Sequence, residues 1–222
     1  MPSTPAPGFR FSEVQDLLEA YAAQDYTFND SPEAPGPALS AYLRVVSNDP
    51  QRAATAVQQL DDLLRTGLQS PEIGDDIALL PEIAPVSGRS VEESLRIARD
   101  HLARRIGHAA PDARLPQNSW EYREQFPELS QFLGAYFHQD FFDEYASYGE
   151  AVDDYLAGAS EADRGQLVRD IGELRALAGT DRALKEAVSV LGMGVASPAG
   201  VGIRQWLDDV SGIVSRHTGG GR

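Results

Sequence analysis

The chain has 222 residues, no cysteine and a formal net charge of -15. The missing cysteine excludes disulfides, thiolate catalysis and cysteine-based metal sites. So acidic a field repels nucleic acid and anionic membrane, and it attracts basic partners over a Debye length of about 8 Å at physiological salt. No uninterrupted apolar run approaches a membrane span, and the N-terminal Met-Pro-Ser-Thr-Pro-Ala-Pro-Gly is not written like a signal peptide. A soluble, cytoplasmic protein is expected, with a loose tail over residues 1–10.

Almost every periodic segment has helix spacing. Val14, Leu17, Leu18 and Tyr21 follow the i, i+3, i+4, i+7 pattern of one buried face. Leu39, Tyr42, Leu43 and Val46 do the same. Asp49-Pro50 is an N-cap followed by proline at the first helical position. It opens a helix with Ala53, Ala56, Val57, Leu60, Leu63 and Leu64 inward, and Gly67 closes it. Ser70-Pro71 starts a shorter helix with Ile73, Ile77 and Leu80. Ser90 with Glu93 reads as a capping box before Val91, Leu95, Ala98, Leu102 and Ile106.

After a joint over 108–119, Phe126-Pro127 opens a helix with Leu129, Phe132, Leu133, Tyr136 and Phe137. Val152, Tyr155 and Leu156 mark a second. Ser160 caps a third, with Leu167, Ile171 and Leu174. Thr180 caps a fourth, with Leu184, Ala187, Val188 and Leu191. Ile203, Trp206, Leu207, Val210, Ile213 and Val214 form the last stripe. A loose tail is expected over 218–222.

The two halves echo each other. Phe11, Glu13, Leu18, Ala20, Tyr21, Gln24 and Asp25 meet identical residues at Phe126, Glu128, Leu133, Ala135, Tyr136, Gln139 and Asp140. Nothing alternates with period two for long enough to demand a sheet. The expectation is an all-α fold of about ten helices in two related bundle halves, packed together, an internal duplication. The first unit is set at 11–107 and the second at 120–217.

Charge is uneven within each half. Between Glu124 and Asp163 lie ten acids and no lysine or arginine. Phe11–Leu43 is also base-free. In the second half, aromatics interleave with the acids, which suits a basic protein surface. Tyr136 and Phe137 lie on the apolar stripe and are read as core. Phe141 and Phe142 are read as plugging the base of the bundle. The candidate partner-binding residues are Asp140, Asp143, Glu144, Tyr145, Tyr148, Glu150, Asp153 and Asp154, with Asp25 and Asp30 as a second group. A solvated acidic loop with no partner is the competing reading of the same residues.

Enzyme chemistry has little support. His138 and Asp140 have the wrong spacing for one helix face of a metal site, and the first half carries Ala23 where His138 stands. One of the two is expected to close the helix end instead. Gly192-Met193-Gly194 lacks the preceding strand and following Lys-Ser/Thr of a phosphate loop. No catalytic, cofactor or metal residue is assigned.

The run Phe126–Phe141, with Glu150–Leu156 and Ile203–Leu207, resembles the immunity proteins of contact-dependent growth inhibition systems (CdiI-type). The first half reads as a diverged copy. Such proteins are cytoplasmic antidotes that bind and block the C-terminal toxin domain of a cognate effector, often a nuclease. The resemblance implies an immunity protein without catalysis or cofactor. Its partner would be a basic toxin domain, with no direct contact to nucleic acid or membrane, and the free protein would be a monomer. It also implies that the family motif at Tyr136–Gln139 is framework, because partners differ from pair to pair. A helical adaptor for another basic protein remains the alternative, and an enzyme using His138 a more distant one.

Overall fold

In the computed structural model, residues 9–47, 49–106 and 114–218 are described. The tail placed at 1–10 and the tail placed at 218–222 lie largely outside these residues, as does the first part of the joint at 108–119. The chain divides into two compact units, Met1–Asp112 and Ala113–Arg222.

The first unit holds α1 (Ser12–Ala22), α2 (Pro37–Val46), α3 (Pro50–Thr66), α4 (Gly74–Ile77) and α5 (Val91–Arg105). Val14, Leu17, Leu18 and Tyr21 are buried as their spacing requires. Asp49 caps α3 by accepting from the backbone N–H groups of Gln51 and Arg52. Ser90 caps α5 through Glu93 N–H. The helix expected from Ser70-Pro71 is broken into a 3-10 turn, Pro71–Ile73, and the single turn α4. Gly74 sits at the break, where its low helix propensity weakens continuation. Arg10, assigned to the loose tail, is tied by ion pairs to Asp62 at 2.8 Å and Glu72 at 3.3 Å.

One feature departs from an all-helical plan. β1 (Thr27–Phe28) pairs in parallel with β2 (Ala84–Pro85). Two residues per strand are too few to leave an alternating pattern in the sequence.

The second unit holds α6 (Ser119–Gln125), α7 (Pro127–Tyr136), α8 (Phe141–Glu144), α9 (Tyr148–Gly158), α10 (Glu161–Leu177), α11 (Asp181–Val190) and α12 (Ile203–Thr218). Ser160 and Asp163 form a reciprocal capping box at α10. α6 and α8, of 7 and 4 residues, are too short to show a helical stripe in the sequence. α6 is capped by Asn118 and buries Trp120 and Tyr122. Among the described residues the fold is otherwise all-α, as its helical spacing requires.

Each unit fixes the start of its first long helix from a later one. In the second unit, buried Asp170 on α10 accepts from Glu128 N–H and Leu129 N–H, both at 3.0 Å. In the first, Gln59 on α3 accepts from Glu13 N–H at 2.9 Å and Val14 N–H at 3.2 Å. These N–H groups belong to the first helical turn, which has no partner within its own helix. Neither α1 nor α7 has a side-chain N-cap of its own, since Phe11 and Phe126 stand there.

Candidate partner-binding face

The acidic stretch of the second unit is placed by the way α7 ends. Gly194 N–H donates to the Phe137 carbonyl at 2.8 Å, laying the 192–195 loop against the helix end. Backbone meets backbone here. A Cβ on Gly194 would come within 2.5 Å of Gln139 N, and one on Gly192 within 2.9 Å of Gly134 Cα. Gly192 also has φ +109°, in the region that favours glycine. The two glycines set aside as a phosphate loop are therefore a steric requirement of the framework.

Beyond that clamp the chain turns into α8. Phe141 is fully buried. Its ring stacks on Phe137 at 5.5 Å and lies 4.8 Å from Tyr148, and Phe137 meets Trp206 edge-on at 5.0 Å. This aromatic base carries the acidic residues. Phe137 is buried, as read from the stripe, while Tyr136 is only partly so.

Asp140, Asp143, Glu144, Glu150, Asp153 and Asp154 are all exposed. The two tyrosines are half-buried and partly spoken for. The Tyr145 hydroxyl donates to Asp154 at 2.9 Å, and the Tyr148 hydroxyl donates to the Ala196 carbonyl at 2.6 Å. Desolvation, reinforced by the Asp154 hydrogen bond, pushes the Tyr145 phenol up to about 12. Glu150 accepts from Ala146 N–H at 2.8 Å and so helps cap α9.

His138 accepts from Asp140 N–H at 3.2 Å through Nδ1, so its proton sits on Nε2, facing Glu144 at 3.3 Å. The bond joins the two residues in the turn between α7 and α8, whereas the Phe137 carbonyl at the helix end is met by Gly194 N–H. Among the described residues, no three His, Asp or Glu side chains converge as metal ligands.

Three of the unit's arginines pair elsewhere. Arg175 pairs with Asp208, Arg182 with Glu186 and Arg204 with Asp181, on α10, α11 and α12. Among the described residues, no arginine or lysine pairs with the six exposed carboxylates above.

The second group of candidates divides. Asp25 is exposed and accepts from Thr27 N–H at 3.2 Å. Asp30 is not a surface residue. It is 3% exposed, accepts from the Tyr21 hydroxyl at 2.5 Å and from Gly36 N–H at 2.7 Å, and holds its own loop together. Its carboxylate is not presented to a partner. The sequence offered no sign of this, because the loop that buries it has no period.

Phe142 also departs from its reading. It does not plug the bundle but stands 72% exposed among the acids. Phe141 takes the inward place on this single turn, and Phe142, one step further round it, falls on the solvent side.

Residues 125–214 match the CdiI immunity protein family. The match spans α7 to α11 and most of α12. No curated protein and no solved structure matches the chain.

Proposed function

We propose, from the match of residues 125–214 to the CdiI immunity protein family, that this protein is a cytoplasmic antidote. It binds the toxin domain of a cognate contact-dependent inhibition effector and occludes it without catalysis. The partner surface is the α8–α9 face, and the toxin domain is basic, as a nuclease would be. The observation that carries this reading is the row of exposed carboxylates at Asp140, Asp143, Glu144, Asp153 and Asp154, which among the described residues pair with no arginine or lysine. Charge of this kind steers a basic partner and sets register. About 800 Å² per partner makes a standard interface.

The reading is tested by co-expressing the chain with the toxin domain encoded beside its gene. Cells survive and the two proteins co-purify if it holds. Toxicity undiminished by a well-expressed chain would overturn it.

The first unit is, in this proposal, a diverged copy of the second with a different job. Support comes from geometry repeated inside each unit. α3 and α10 are both 17 residues long. Gln59 and Asp170, each the tenth residue of its helix, make the same helix-start contact. At the third residue of each helix the charge reverses: Arg52 in α3, Asp163 in α10. Arg52 pairs with Glu13 at 3.0 Å and Asp16 at 2.9 Å. The first unit thus engages two of its frontal acids, Glu13 and Asp16, with its own arginine.

A further inference from the structure

Phe142 stands with 72% of its surface exposed, on a base of buried aromatic contacts. It follows the fully buried Phe141, whose ring lies 5.0 Å away at 84°. Phe141 is itself held by Phe137 and Tyr148. A ring presented on such a base has little freedom left to lose on contact, which is the property of a preorganised anchor.

Its electrostatic setting narrows the occupant. Asp140, Asp143 and Glu144 surround it in sequence on the same short turn, all exposed. The face of an aromatic ring carries partial negative charge, and nearby carboxylates add to the same field. Among the described residues no cation of this chain is placed over the ring, whereas Arg10 lies over Phe11 in the other unit. An apolar pocket bare of charge would have to desolvate these carboxylates without compensation. A basic surface would not.

We propose that Phe142 is the central anchor of a docking surface for a basic protein. An arginine or lysine of the partner lies across its ring while neighbouring cations pair with Asp140, Asp143 and Glu144. This rests on the immunity reading and adds to it a specific contact that can fail alone.

The test measures complex kinetics for the full chain, with the toxin domain encoded beside its gene as the probe, at low and high salt. Phe142→Ala should raise the dissociation rate about tenfold at both salts. Phe142→Leu, which keeps apolar area but has no ring face, should behave nearly as badly. Phe142→Tyr should stay close to the parent. Thermal unfolding of all three should match the parent, because the ring is not part of the core. A parental dissociation rate for Phe142→Ala overturns the anchor and leaves the immunity reading standing. A parental rate for Phe142→Leu alone overturns the cation contact. No complex with the unaltered chain overturns both.

Discussion

The Tyr155 hydroxyl donates a 2.9 Å hydrogen bond to Oε1 of Glu128, tying α9 to the first turn of α7. Burial raises the Glu128 carboxyl above its usual range, and the Tyr155 bond opposes that shift. The first unit repeats the arrangement: the Tyr42 hydroxyl donates to Glu13 Oε2 at 3.0 Å. Tyr155→Phe and Tyr42→Phe should each lower stability by about 1 kcal/mol, the typical worth of one such bond. Chemical denaturation of the single variants checks this, and a parental midpoint for Tyr155→Phe would show that the bond carries nothing.

The Asp170 contact should matter more. Asp170 is 1% exposed, and removing it strands two N–H groups of α7. Asp170→Ala should cost about 3 kcal/mol. Asp170→Asn should cost less, since one acceptor oxygen survives and the burial that raises the Asp170 carboxyl penalises only a charge. Equal losses for the two variants would mean that the charge, not the acceptor, holds the helix start.

Gly194→Ala should unfold the clamp at the end of α7. The new Cβ meets backbone, which cannot swing aside as a flexible side chain would. A loss of about 3 kcal/mol is expected from overpacking of this kind. Amide exchange at Gly194, protected in the parent by the Phe137 carbonyl, should speed up in the variant. Unchanged protection would contradict the clamp.

Tyr145 gives a pH signature. Its folded pKa, about 12, lies above the ordinary 10.0. A raised value favours the protonated phenol in the folded state. The stability it contributes is therefore present below pH 10 and is lost as pH rises toward 12. In an absorbance titration, Tyr145→Phe should remove one late-ionising tyrosine. Asp154→Asn should bring that step earlier, because the neighbouring charge is gone. A titration curve that Asp154→Asn leaves in place would dissociate the shift from this pair.

Most of the framework is legible in the sequence because it is periodic. Leu129, Phe132 and Leu133 face inward as the spacing requires, and Asp49, Ser90, Ser160 and Thr180 cap the helices they precede. The misreadings share one cause. Phe142, Asp30 and the Thr27–Ala84 pairing belong to short turns and loops, where no period says which side chain faces in. Hydrophobicity alone then put Phe142 inside, and charge alone put Asp30 outside. The repeated contacts of Gln59 and Asp170 were also invisible, since an amide and a carboxylate do the same work there with different letters.

In the proposed reading, the acidic α8–α9 face steers a basic partner. This steering is tested most directly by the association rate of the full chain with the toxin domain encoded beside its gene, measured across salt concentration. The quadruple variant Asp143→Asn, Glu144→Gln, Asp153→Asn, Asp154→Asn is compared with the parent. The parental rate should fall steeply with salt, and the variant should be about tenfold slower at low salt with a flatter dependence. A variant that reproduces the parental rates at every salt concentration would contradict it.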